Sequence, residues 1–163
     1  MNSLPESQKN EAKICINKIL VPIDGSSNSM RAAKYAIEVA KLQNAQIICV
    51  YVIAQLPYDY VHEVPSISGP AVEQYFENMK EKSSAWFNTI IEMAEQADVH
   101  NIQTDIVVDV LSIADAILYY AKDKSIDLIV IGATGKNSIE RFLLGSVANN
   151  VLKHAHCPVM VAR

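Results

Sequence analysis

The chain has 163 residues, half of them hydrophobic, and its formal net charge at pH 7 is −4. This length and composition predict one ordinary domain with a core of its own. No basic run interleaved with aromatic residues is present, which argues against a nucleic-acid partner, and polar residues interrupt every apolar run before it could span a membrane. The polar N-terminus lacks the apolar core of a signal peptide, so we expect a flexible tail over residues 1–16 and a cytoplasmic protein.

The three cysteines, Cys15, Cys49 and Cys157, fit no zinc-ligand spacing. Two of them lie in apolar, strand-like runs, so reduced and buried thiols are the expected state, ahead of a redox role. His154 and His156 stand just before the last cysteine, where the end of a helix places them on different faces. The sequence therefore predicts no metal site.

Five short apolar runs alternate with four stretches of helical periodicity. The first strand, 19–23, precedes a helix over 29–42, for which Ser27 or Asn28 is the expected N-cap. The second strand, 46–53, is a continuous apolar run, which is typical of a strand buried on both faces in a parallel sheet. The remaining elements are an irregular segment with three prolines over 54–70, helices over 71–97, 112–121 and 145–153, and strands over 102–108, 127–131 and 158–162.

This alternation predicts an α/β fold, in which one doubly wound, five-stranded parallel sheet carries helices on both faces and right-handed crossovers. In such a sheet, ligands bind beyond the carboxyl ends of the strands, where the strand order reverses. A reversal between the first and fourth strands would bring together the loops that begin at Asp24 and Gly132. The irregular segment 54–70 is unusually long, so it is a candidate cover or contact surface.

The loop after the fourth strand is the most informative feature of the chain. Gly132 and Gly135 follow the strand directly, and nine residues later Gly145 and Ser146 stand at the predicted start of the last helix. Glycine lets a backbone approach a ligand closely, and a helix N-terminus offers N–H groups and a positive dipole end to an anion. The pattern favours a phosphate-bearing ligand; turn glycines, with Asp24 as a turn carboxylate, are the simpler alternative.

The same loop argues against phosphoryl transfer. Its spacing is not that of a Walker P-loop, and the expected pocket loops contain no Ser-His-Asp order or paired carboxylates, so no catalytic residue is predicted. Lys136 and Arg141 lie between the glycines, where they would either meet outer phosphates or remain solvated loop charges.

Three pieces of sequence together resemble the universal stress protein family, from about residue 17 to residue 163. They are Ile-Leu-Val-Pro-Ile-Asp-Gly-Ser at 19–26, the spaced glycines and serine of 132–146, and Cys-Pro-Val-Met-Val at 157–161. Each piece is weak alone, whereas their order and spacing are specific. The resemblance implies a domain over 17–163 with strand order 3-2-1-4-5. It also implies a homodimer through the last strand, 158–162, which an exposed sheet edge favours independently.

The family contains members that bind ATP and members that bind no nucleotide, and a complete glycine motif marks the first kind. The resemblance implies a regulatory, stress-response module that binds ATP, ADP or AMP, with Mg²⁺ as a candidate accompanying ion. Asp24 would hydrogen-bond the ribose, and the backbone of Val52 would meet the adenine. The residues expected in the nucleotide site are Pro22, Ile23, Asp24, Val52, Ile131, Gly132, Gly135, Lys136, Arg141, Gly145, Ser146 and Val147.

One stretch departs from the family pattern. Many members have a glycine after the third strand, where this chain has Asp109, Val110 and Leu111. A bulky leucine or a carboxylate near the pocket would crowd or repel phosphates. Three alternatives stay open: slow ATP hydrolysis with bound magnesium, an ATP-cleaving ligase or pyrophosphatase that uses loop 25–29, and a dimeric interaction module with an empty site. No pattern indicates a downstream protein partner.

Overall fold

The computed structural model describes residues 15–54, 69–109, 112–135 and 144–163. These residues form five strands and four helices in strict alternation. The strands are β1 (Lys18–Pro22), β2 (Gln46–Ala54), β3 (Ile102–Asp109), β4 (Leu128–Gly132) and β5 (Val159–Ala162); the helices are α1 (Ser27–Gln43), α2 (Gly69–Gln96), α3 (Ile113–Asp123) and α4 (Ser146–His154). All strand pairs are parallel, and the order β3-β2-β1-β4-β5 confirms the predicted topology.

The helix starts differ from the predicted ones by a residue or two, for local reasons. Ser26 caps α1, because its Oγ accepts a hydrogen bond from the backbone N of Ser29 at 3.1 Å; the expectation that Ser27 or Asn28 caps this helix was wrong. Ser112 likewise caps α3 instead of opening it.

The irregular segment predicted over 54–70 falls mostly on residues 55–68, which lie outside the described part of the chain. The two ends of the predicted segment belong instead to a strand and a helix. Residue 54 ends β2, and α2 begins at Gly69 with a proline as its second residue. Proline is compatible with the first turn of a helix, where its missing N–H has no intrahelical partner to lose.

Two apolar layers hold the sheet, one on each face. The face that carries α1 and α2 buries residues such as Val21, Cys49 and Phe87. The face that carries α3 and α4 buries Leu20, Val50 and Ile117, among others. Successive residues of a strand point to opposite faces, so each strand contributes to both layers.

The cysteines only partly follow the expectation of buried thiols. Cys49 is buried on β2, Cys157 is half-buried and Cys15 is exposed, and all three are free. Burial raises the pKa of the Cys49 thiol to about 12, so this group is inert at neutral pH. The helices in the described ranges include none long and apolar enough to cross a membrane.

Candidate functional site

A cleft of about 750 Å³ opens at the carboxyl ends of β1, β2 and β4. The chain leaves β1 for α1 on one face of the sheet and leaves β4 for α4 on the other, which is the switch point where doubly wound folds bind ligands. Lys136 and Arg141 lie outside the described residues. The other predicted site residues all line this cleft: Pro22, Ile23, Asp24, Val52, Ile131, Gly132, Gly135, Gly145, Ser146 and Val147.

The carboxylate of Asp24 lies directly against the glycine segment. A Cβ atom added to Gly135 would stand only 2.7 Å from Asp24 Oδ2, so no larger residue fits without moving the carboxylate. The other oxygen, Oδ1, accepts a hydrogen bond from the backbone N of Ser26 at 2.9 Å. One oxygen of Asp24 therefore fixes the turn after β1, and the other lies against Gly135.

The remaining glycines of the segment permit close packing. None of the glycines in this described part of the segment has a positive φ. A Cβ on Gly132 would lie 2.8 Å from the backbone of Asn28 and Ser29 in α1, and one on Gly145 would lie 3.2 Å from the carbonyl oxygen of Ala133. The N–H of Gly145 donates to that same carbonyl at 2.7 Å, which closes the base of the loop.

Two residues that the sequence did not indicate join the two loops. The side-chain amide of Asn28, at the start of α1, donates a hydrogen bond to Thr134 Oγ1 at 2.6 Å. This bond ties the N-terminus of α1 to the glycine segment. Asn28 is the second residue of α1 and therefore lies inside the helix instead of capping it.

The N-terminus of α4 borders the cleft. Gly145 is the N-cap and provides no side-chain hydrogen bond, and Ser146, Val147 and Ala148 of the first turn line the cleft. The N–H groups of a first helical turn have no partner within the helix and carry the positive end of the helix dipole. The site can therefore hold an anion at this end.

The opposite wall of the cleft comes from α2. Tyr75, Met79, Lys82 and Trp86 recur at helical spacing and line the cleft together. Tyr51 of β2 joins them: its ring meets that of Trp86 edge-to-face with centroids 5.4 Å apart, and its hydroxyl lies 3.5 Å from the sulfur of Met79. Trp86 packs against the core and also lines the cleft, and the sequence did not indicate its place in the cleft.

The hydroxyl of Tyr51 stays protonated in this setting. Burial raises its pKa, and the nearby Tyr75 and Asp24 raise it further. Within the described residues, no group of three or more His, Cys, Asp or Glu side chains could hold a metal ion. Among the described residues, the functional groups of the cleft are thus the Asp24 carboxylate, the Lys82 ammonium, the N-terminus of α4, backbone groups at strand ends, and an aromatic wall.

The fold and the cleft define a doubly wound α/β protein with a ligand site at the switch point between β1 and β4. Comparison with known proteins makes the class specific: the sequence model of the universal stress protein family matches residues 16–163. A universal stress protein from Methanocaldococcus jannaschii is 38% identical over 163 residues, which are 100% of this chain and 89% of that protein. The chain belongs to the universal stress protein family.

Solved structures agree with this assignment. The universal stress protein UspA from Lactobacillus plantarum superposes with a TM-score of 0.77 at 27% identity, covering 91% of this chain and 99% of that one. A family member from Arabidopsis thaliana, solved with AMP bound, has a TM-score of 0.61 at 25% identity and covers 90% of both chains.

Proposed function

We propose that the cleft binds an adenine nucleotide and that the protein acts as a regulatory nucleotide-binding module in the stress response. The observation that carries this proposal is the contact of Gly135 with the Asp24 carboxylate, beside the N-terminus of α4. A hydroxyl acceptor and an anion site thus stand side by side, in the arrangement that a ribose and its phosphates require. The AMP bound to the Arabidopsis relative supports the same ligand class.

The phosphates would lie at the start of α4. The N–H groups of Ser146 and Val147 stabilise negative charge there through hydrogen bonds and the helix dipole. Gly145 packs closely on Ala133 and has no side chain, so a phosphate could approach the backbone at this point. Lys136 and Arg141 stay predictions as further phosphate contacts.

The base would lie over the end of β2. Val52 and Ile131 are nearly fully buried on the face of α3 and α4, and with Val147 they line an apolar slot. The carbonyl of Val50 accepts a hydrogen bond from the N–H of Ile23, toward β1. Backbone groups two residues apart in a strand point the same way, so those of Val52 point beyond the end of β1, toward the cleft. They are placed to meet the edge of a purine.

Among the adenine nucleotides, we propose ATP as the ligand, with ADP or AMP as its products or as alternative ligands. Mg²⁺ is commonly held by substrate phosphates together with one or two carboxylates, and Asp24 is the carboxylate in this cleft. Slow ATP hydrolysis is the alternative within the same site. Incubation with ATP and Mg²⁺, followed by product analysis, separates the two: ADP release that exceeds the spontaneous rate and disappears in Asp24→Asn would favour the enzyme.

We further propose a cytoplasmic homodimer that pairs through β5. The carbonyls of Pro158 and Ala162 bond to the β4 side, so the alternate residues Val159 and Val161 direct their backbone groups to the outer edge. Within the described residues this edge pairs with no further strand.

Val161→Pro removes an outward-pointing N–H group of β5 and should leave the β4–β5 ladder intact. Light scattering should then show a monomer. A dimer that persists in this variant would contradict the interface.

The direct test of the nucleotide proposal is to purify the protein without added nucleotide, denature it and identify released nucleotides by mass spectrometry. ATP, ADP or AMP at a substantial fraction of the protein concentration is the expected result. If none is released and none binds on titration, the cleft does not serve this function, and the interaction module with an empty site becomes the better account. The Gly135→Val variant distinguishes a nucleotide binder from an interaction module with an empty site. The change should abolish the cellular function of a nucleotide binder and leave that of an interaction module intact.

A further inference from the structure

The cleft that contains Asp24 and the glycine segment is also lined by aromatic residues of β2 and α2. Gly25 has a φ of 73°, and a Cβ added to it would collide with the indole ring of Trp86. The ring therefore lies directly against the residue that follows Asp24. Tyr51, whose ring meets that of Trp86 edge-to-face, lines the same cleft. Asp24 is thus contacted from two directions, by Gly135 of the glycine segment and, through Gly25, by the aromatic residues.

A nucleotide bound as proposed does not reach the aromatic residues of this cleft. Its phosphates lie at α4, and its base lies with Val52 on the face of the sheet that carries α3 and α4. Tyr51, one residue earlier in β2, points to the other face, where α2 lies. Both ends of the nucleotide therefore extend away from α2, and only the hydroxyl edge of the ribose, at Asp24, faces it.

We propose that Tyr51, Tyr75, Met79 and Trp86 form a second subsite, which takes a flat aromatic group beside the ribose. This proposal rests on the proposed function, because the ribose position fixes where the subsite lies. The aromatic group is either attached to a ribose oxygen of the nucleotide or belongs to a separate molecule bound next to it. Lys82 stands at the rim of the same wall and provides a cation for an anionic substituent.

The chemistry of the wall fits an aromatic occupant. Aromatic rings bind one another edge-to-face or offset, and a thioether sulfur makes favourable contacts with a ring edge. The Tyr51–Trp86 pair is itself edge-to-face, with an interplanar angle of 88°, and Met79 lies beside it. An added ring would extend this cluster and remove further apolar surface from water.

The probe is ADP that carries an N-methylanthraniloyl group on its ribose, compared with ADP itself by calorimetric titration. The subsite predicts that the modified nucleotide binds about three- to tenfold more tightly than ADP. It also predicts energy transfer from Trp86, the only tryptophan of the chain, to the attached ring. Binding of ADP with a tenfold or greater loss for the modified form would overturn the subsite alone. Failure of both ligands to bind would overturn the proposed function and the subsite with it.

Free N-methylanthranilate separates the two sources of the aromatic group. When the protein is saturated with ADP, quenching of Trp86 by the free compound assigns the subsite to a separate molecule. No quenching, together with tight binding of the modified nucleotide, assigns it to a group attached to the ribose.

Substitutions test the wall itself. Tyr75→Ala should reduce the affinity ratio of modified to unmodified ADP to about one, because it removes one ring of the wall. Met79→Ala provides a second, smaller truncation, at a residue that lies beside Tyr51 instead of Gly25. Tyr35→Ala, on the exposed surface of α1, is the matched control and should keep the ratio. An unchanged ratio in both wall variants would contradict the proposal.

Discussion

The two sides of Asp24 are built in opposite ways. On one side, the glycine segment reaches the carboxylate with bare backbone, and Gly135 has no room for a side chain. On the other side, the wall consists of side chains, with the ring of Trp86 against Gly25 and beside Tyr51. Added atoms should therefore damage the glycine side, whereas removed atoms should damage the aromatic side. A backbone cradle suits phosphates, and an aromatic wall suits an apolar group.

The largest expected effect comes from adding atoms to the glycine side. Gly135→Val places a branched side chain where even a Cβ lies 2.7 Å from Asp24 Oδ2. The carboxylate must move, and titration calorimetry should show a loss of nucleotide affinity of about 100-fold or more. Ala85→Val, on the exposed surface of α2, is the matched control and should bind as the parent chain does. Normal affinity in the first variant would show that the nucleotide does not lie between these residues.

The second-largest expected effect comes from the carboxylate of Asp24, which lies between the glycine side and the aromatic side. Asp24→Asn can keep the bond from the Ser26 N–H but offers a neutral acceptor to the ribose, so we expect about 10- to 100-fold weaker ADP binding. With 2′,3′-dideoxy-ADP the parent and the variant should bind alike, because the hydroxyl partner is gone. A variant that weakens both ligands equally would mean that Asp24 acts only through the turn. Asp98→Asn, an exposed carboxylate outside the cleft, serves as the control.

A third prediction separates packing from ligand contact within the glycine segment. Gly132→Ala brings a methyl group to 2.8 Å from the backbone of α1, which cannot yield as a side chain can. Urea unfolding should show a loss of about 1–3 kcal/mol. Gly145→Ala meets its neighbour at 3.2 Å and should cost less. Equal stability losses in the two variants would contradict this ranking.

The smallest expected effect is an absence of pH dependence on the aromatic side. Because burial first, and then Tyr75 and Asp24, raise the pKa of Tyr51, its hydroxyl remains protonated below the ordinary tyrosine value. The affinity ratio of modified to unmodified ADP should stay flat between about pH 7 and pH 9. A fall within this window that Tyr51→Phe abolishes would show that the phenol ionises there.

The sequence predicted the glycine side well, because its signal is local. A strand, two glycines and a helix start at fixed spacing favour a tight turn beside a helix N-terminus, and Asp24 follows a strand of the same sheet. The fold followed from the same alternation of strands and helices. The strand order brings together the loops that contain Asp24 and Gly135, which lie against each other. Their closeness could therefore be expected without knowledge of side-chain contacts.

The aromatic side could not be predicted in the same way. Met79 and Trp86 recur at helical spacing, which is also the pattern of a helix that packs on a core, and Trp86 does pack there. The position of Met79 and Trp86 at the cleft depends on where α2 crosses β2. It also requires Tyr51 to lie on the face of the sheet that carries α2. The bond from Asn28 to Thr134 joins residues 106 positions apart, and capping propensity pointed Asn28 to a different role.

Calorimetric titration of the nucleotide-free protein with ATP and ADP measures directly whether the cleft binds an adenine nucleotide. We expect saturable binding of about one nucleotide per chain with a Kd well below 1 mM, as a site with a ribose acceptor and an anion cradle requires. We also expect that Gly135→Val abolishes this heat while Ala85→Val keeps it. No binding of either nucleotide to the folded parent protein at millimolar concentration would contradict the proposed nucleotide site.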